Sequence, residues 1–299
     1  MMLRNLYFLV ILGLLLMVAA ACQNEAGKTS QDTPAETVTL STDLYAWCIV
    51  PFDSEERSPA QRIDMLKALG ITRYAYDWRD KHLPEMAQEI ELARANDIEM
   101  MAVWIWIDAK SDRPGQLGAG NEQIFQTLKA QNLATQIWAG FNGNFFEGKS
   151  EAESIQAGAE MVRYLHERAQ ESGSRLALYN HGAWFGEPEN QVKVIEALPG
   201  LNVGIVYNFH HAHEQIDRFP QIVSNMLPHL WSVNLNGMKR DGAKILPLGV
   251  GDLEGEMIRT LRTAGFEGPY GILGHVDDRD VKVVLEENLA GLKKLEAQL

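Results

Sequence analysis

Ile205-Val206-Tyr207-Asn208-Phe209-His210-His211-Ala212-His213 joins an apolar run to an amide and three of the chain's eight histidines. The apolar half reads as a strand covered on both faces, the pattern of a parallel sheet flanked by helices. The polar half falls where that strand gives way to its loop, which is where catalytic groups collect in parallel α/β folds. Similar short apolar runs recur along the chain at 44–50, 73–77, 99–107, 135–140, 175–180, 202–207, 230–235 and 270–273. Helical patterns separate them. Ser58-Pro59 starts one with Ile63, Leu66 and Leu69 at helical spacing and Gly70 as its stop. Ser150 and Glu153 form a capping box ahead of Ile155, Met161, Leu165 and Ala169, with Gly173 as the stop. Asp252 opens another, ended by Gly265, and the last spans 279–295. Eight such units in a row close most simply into a (β/α)8 TIM barrel. The doubly wound alternative lacks a Gly-rich phosphate loop after the first strand.

The barrel accounts for residues 40–299, and what precedes it reads differently. Residues 1–21 form a signal peptide, with Arg4, an apolar stretch from Leu6 to Val18 and Ala19-Ala20-Ala21 before Cys22. The apolar stretch is short for a spanning helix. A small-residue site ending in Cys is the bacterial lipoprotein pattern, so Cys22 is the expected lipidation site and the membrane anchor. Gln23 after it favours the outer membrane, and the expected setting is the cell envelope. Residues 22–39 carry the acylated Cys and a flexible linker rich in Glu, Gln, Thr, Ser and Ala. With Cys22 in the anchor, Cys48 is the remaining thiol and reads as a small core residue. The net charge of -13 argues against a nucleic-acid partner, because phosphate binding relies on clustered Lys and Arg. No nucleotide cofactor is expected.

A barrel places its chemistry on the loops after the strands. Taken in order, these hold Asp53; Asp77, Trp78 and Arg79; Trp106 and Asp108; Asn142 and Asn144; Asn180, His181 and Trp184; Asn208, His210, His211 and His213; Asn234, Asn236 and Lys239; and His275, Asp277 and Asp278. Aromatic faces suit sugar CH groups while amides and imidazoles suit hydroxyls, so the mixture points to a small carbohydrate. Trp104 reads as barrel core, and His210 as structural. His211 and His213 share an orientation if the chain stays extended.

These residues, with Tyr76-Asp77-Trp78-Arg79, Leu178-Tyr179-Asn180-His181, Asn208-Phe209-His210-His211 and Pro247-Leu248-Gly249-Val250-Gly251, make the chain resemble the xylose-isomerase-like superfamily of sugar isomerases and epimerases. The resemblance covers nearly the whole barrel. It implies a divalent metal held by a Glu after strand 5, an Asp after strand 6, a His after strand 7 and a Glu after strand 8. This sequence departs at all four. Asn180, Asn208 and Asn234 stand at the first three, and strand 8 ends Ile272-Leu273-Gly274-His275. Neutral amides do not offset a dication's charge. A relocated metal site on His211, His181 and His275 is the remaining option, since imidazoles suit transition metals.

The expectation is a sugar isomerase- or epimerase-like enzyme that removes a proton next to a carbonyl on an unphosphorylated or keto sugar. His211 or His181 serves as base and Lys239 as an oxyanion donor. Asp77, Arg79, Trp106, Asn142, Asn180, Trp184, Asn208, His213, Asn234, Asn236 and His275 bind substrate. The alternative is a carbohydrate-binding lipoprotein that kept the barrel and lost the metal and the catalysis.

Overall fold

The computed structural model describes residues 40–299. The expected signal peptide, Cys22 and linker lie outside the described residues. Eight strands, β1 (Leu44–Trp47), β2 (Arg73–Tyr76), β3 (Glu99–Ile107), β4 (Gln136–Phe141), β5 (Arg175–Tyr179), β6 (Val203–Asn208), β7 (Leu230–Leu235) and β8 (Tyr270–Leu273), alternate with helices. These are α1 (Pro59–Leu69), α2 (Met86–Ala95), α3 (Ala119–Ala130), α4 (Glu151–Gln170), α5 (Pro188–Glu196), α6 (Phe219–Met226), α7 (Glu254–Thr263) and α8 (Val281–Glu296). Every strand pairs in parallel with the next, and β1 pairs with β8, which closes the barrel. No helix among the described residues is long and apolar enough to cross a membrane.

Ser58 and Ser150 cap their helices as expected, whereas Asp252 does not: α7 begins at Glu254 behind Leu253, with no side-chain cap bond. Ser58 and Gln61 form a capping box on α1, and Gly70 ends it at φ 70°. Ser150 and Glu153 do the same for α4. Strand ends are less faithful. The first strand stops at Trp47 because Cys48 turns to φ 57°, a left-handed backbone that breaks the ladder. Ile49 and Val50 are still buried, but as loop.

The interior and the helix-facing layer are two separate apolar clusters. Inside the barrel, Tyr45, Trp47, Trp138 and Tyr179 pack edge to face at centroid distances of 5.1–5.7 Å. Small residues admit such large rings. A Cβ on Gly271 would lie 2.4 Å from the Tyr45 ring, and one on Gly204 would lie 2.1 Å from Trp231. Outside, the opposite strand faces meet helix residues such as Ile63, Leu66, Ile124, Leu165 and Ile258. The carboxyl ends of the strands are left for the site.

Candidate functional site

A cavity of about 140 Å³ opens at the carboxyl ends of the strands. It is a concave site of small-molecule scale, lined by aromatic faces and a few polar groups. Strand β1 and its loop supply Trp47, Cys48 and Phe52, and β2 supplies Asp77 and Arg79. Trp104 comes from β3, Tyr179 and His181 from β5, His210 and His211 from the turn after β6, and His275 from the loop after β8.

Four imidazoles run across this cavity in a row. His181 lies 4.3 Å from His211, His211 lies 4.4 Å from His210, and His210 lies 5.0 Å from His275, ring centre to ring centre. Phe52 packs on His275 at 3.6 Å, and Trp106 meets His181 edge-on at 4.6 Å. The row exists because Asn208 ends β6 with its side-chain oxygen accepting the His210 N–H, 3.1 Å away. That bond curls Phe209–His211 into a 3-10 turn, so adjacent histidines face one cavity instead of alternating. His213 is carried off to the Lys239 carbonyl, 2.6 Å away.

Burial sets the protonation of the site. It drives His211 down to about 2 and His210 to about 4, with the neighbouring imidazoles adding to the effect. His181 and His275 are lowered by the same cause, and Asp277 partly opposes it at His275. At neutral pH the row is therefore uncharged. Asp77 moves the other way: burial raises its carboxyl to about 7, against the Arg79 guanidinium and the Val50 N–H, which donates to it over 3.3 Å. Burial and the adjacent Asp77 push the Cys48 thiol up, so it stays a thiol. The cavity thus presents neutral N–H donors, aromatic faces and a carboxyl that titrates near neutrality.

The expected residues separate into two groups. Asp77, Arg79, His181, His211 and His275 line the cavity, with Trp106 behind His181. The amides do not line it. Asn180 Oδ1 accepts the Asn208 N–H at 2.7 Å and its Nδ2 donates to the Asn208 carbonyl at 3.2 Å, locking β5 to β6. Asn208 Nδ2 donates to the Tyr179 hydroxyl. Asn234 Oδ1 accepts the Tyr45 hydroxyl at 2.8 Å, and Asn236 Nδ2 donates to the Lys244 carbonyl at 2.8 Å. All four are buried inside protein; backbone and phenol groups satisfy both ends of Asn180 and Asn208, while Asn234 Nδ2 and Asn236 Oδ1 have no partner among the described residues. Asn142 bonds Asp108 at 3.2 Å, Trp184 packs on Phe146 at 4.8 Å, and Lys239 is exposed outside the cavity.

The family's metal does not fit this donor set. The amides at the three strand-end positions spend their oxygens on the Asn208 N–H, the His210 N–H and the Tyr45 hydroxyl. The relocated site on His211, His181 and His275 is not assembled either, because His181 and His275 stand at opposite ends of the row. Among the described residues no three His, Cys, Asp or Glu side chains are disposed to hold a metal ion.

Trp47, Cys48, Phe52, Trp104, Tyr179 and His210 also line the cavity, and sequence reasoning had left them in the core or unassigned. For His210 a signal was present, since an Asn at a strand end followed by polar residues favours a tight Asx-type turn. For the aromatics there was none, because interior core and cavity floor carry the same residues.

Comparison with known proteins agrees with the barrel. A family model described as xylose isomerase-like TIM barrel matches residues 76–295. No curated protein matches the sequence. Among solved structures, 3-keto-D-glucoside 4-epimerase, YcjR, from E. coli is 14% identical, with a TM-score of 0.64 over 84% of this chain and 99% of its own. A D-psicose 3-epimerase solved in the presence of D-fructose is 13% identical, with a TM-score of 0.61 over 86% and 98%. The IOLI protein, whose structure carries a zinc atom, is 13% identical, with a TM-score of 0.65 over 86% and 98%. At such identities the likeness carries the fold.

Proposed function

This chain belongs to the xylose isomerase-like TIM barrel family, and from that premise we propose that it is a sugar isomerase- or epimerase-like enzyme acting on an unphosphorylated or keto monosaccharide. The observation that carries the reading is Asp77, a carboxyl in a cavity lined by imidazoles and aromatic faces, raised to about 7 by burial. Asp77, rather than His211 or His181, takes the proton from a carbon next to the substrate carbonyl. His211 is a poor proton acceptor, because burial makes its protonated form costly. The electron pair moves onto the carbonyl oxygen, and neutral imidazole N–H groups of His181 and His211 hold the resulting enediolate. Return of the proton from Asp77 to the neighbouring carbon, with the adjacent hydroxyl proton passing to the original carbonyl oxygen, gives an isomer; delivery of a proton to the opposite face by water gives an epimer, with the Asp77 proton released to solvent. No step is routed through a metal.

The test follows sugar C–H protons by NMR in heavy water, over a panel of aldoses, ketoses and keto-glycosides. Exchange at one carbon with at least one sugar supports the reading. Binding without exchange instead supports the carbohydrate-binding lipoprotein, which the hydrogen-bonded amides at the family's ligand positions favour. We further propose that the protein is exported and anchored through acylated Cys22 in the cell envelope. Cys22→Ser then abolishes fatty-acid labelling and releases the chain from membranes; persistent labelling would refute the anchor.

A further inference from the structure

The rim of the cavity carries one guanidinium, that of Arg79. Its Nη1 donates to the Trp78 carbonyl at 2.7 Å, and its Cζ lies 5.4 Å from the centre of the Phe52 ring. Phe52 is itself packed on His275, so a three-layer stack holds the cation in place at the mouth. Arg79 forms no ion pair with any carboxylate among the described residues. Arg57, Arg62, Arg73, Arg168, Arg218, Arg240 and Arg279 do form such pairs, while Arg94, Arg113, Arg163, Arg175, Arg259 and Arg262 share the lack but stand away from the cavity. What sets Arg79 apart is its place: it is the arginine that lines the cavity, where its charge also acts on the Asp77 carboxyl. The imidazoles behind it are uncharged, and the other cation acting on them, Lys244, does not line the cavity and lies 3.8 Å from the Glu214 carboxylate.

We propose that Arg79 is a specificity-determining residue that binds a carboxylate on the substrate, so that the favoured ligands are sugar acids such as uronates. A guanidinium fork matches a carboxylate with two parallel hydrogen bonds, which a neutral hydroxyl cannot reproduce. A single anionic group is the limit. The groove on the other side of Phe52 is lined by Asp53, Glu56, Asp277 and Asp278, which repel a second negative charge. The same groove disfavours a phosphate dianion. The inference rests on the reading of the cavity as a sugar site and narrows its substrate class.

Calorimetric titration of D-glucuronate, D-galacturonate and D-mannuronate, each against its neutral hexose, tests it on the full chain. At least one uronate should bind the native protein about 10–100-fold more tightly than its parent hexose, the range of a charge-assisted pair. Arg79→Met brings that ratio close to one, Arg79→Lys leaves an intermediate ratio, and added salt shrinks it because the rim is exposed. A ratio unchanged in Arg79→Met overturns the proposal, as does every neutral hexose binding at least as tightly as its uronate. Binding of neutral hexoses alone overturns the carboxylate assignment and leaves the sugar reading standing. Binding of none of the six overturns both.

Discussion

At the scale of single residues, the site is governed by what burial does to acids and bases of opposite charge type. Burial penalises whichever form is charged, so it raises Asp77 to about 7 and lowers His211 to about 2. The carboxyl becomes the group whose proton affinity suits transfer at neutral pH, and the imidazoles become neutral donors. The rate constant kcat/KM should accordingly rise as pH increases through about 7, as Asp77 ionises. Asp77→Asn should lower it by roughly 10²–10⁴-fold, the usual worth of a positioned base. A profile flat across that range in the native enzyme excludes Asp77 as the base. Stability gives an independent check. The folded state holds the Asp77 proton more tightly than the unfolded chain does, so its contribution is full in acid and is lost as pH rises through about 7. The melting temperature of Asp77→Asn should exceed that of the native protein above neutrality, with the gap closing towards about pH 4.

At the scale of elements, the junction of β6 with its turn decides which side chains reach the cavity. Asn208 bonds the Tyr179 hydroxyl with one end of its amide and the His210 N–H with the other, while its backbone N–H is held by Asn180. One residue therefore ties β5 to β6 and starts the turn that aligns His210 with His211. Asn208→Ala leaves the buried Tyr179 hydroxyl with the Trp47 N–H alone and the His210 N–H without a partner, the latter at a cost of about 1–3 kcal/mol. Its melting temperature should fall and its substrate affinity with it, since the two imidazoles lose their register. Loss of stability with unaltered binding would show that the turn does not position them. The loop between β7 and α7 is held differently, by the buried Glu254 carboxylate accepting the Gly249 and Gly251 N–H groups at 3.0 and 2.9 Å. This is the Pro247–Gly251 turn of the family, and here it is a structural anchor.

At the scale of the whole molecule, eight parallel strands bring loops 200 residues apart in sequence around one cavity, so residues as distant as Phe52 and His275 touch. The same closure places Asn180, Asn208 and Asn234 where the family would hold a metal, and spends their oxygens inside the protein. Elemental analysis of the purified protein should return well below one equivalent of divalent metal, and a chelator should leave its melting temperature unchanged. A stoichiometric ion whose removal lowers that temperature would overturn this account of the donor set. The barrel itself was legible in the chain. Alternation of buried apolar runs with capped helices is a local, periodic property, and caps such as Ser58 and Ser150 act within one turn of the backbone. The cavity-lining Asp77, Arg79, His181, His211 and His275 were legible too, because strand ends converge in any such barrel. What the sequence could not give was the direction of each side chain. Cys48 leaves the ladder at φ 57°, and Asn208 curls the next residues into a turn. Burial then decides which groups are charged. Those three effects depend on neighbours distant in sequence, so only the tertiary structure could move the amides out of the site, bring His210 into it and make Asp77 its candidate base.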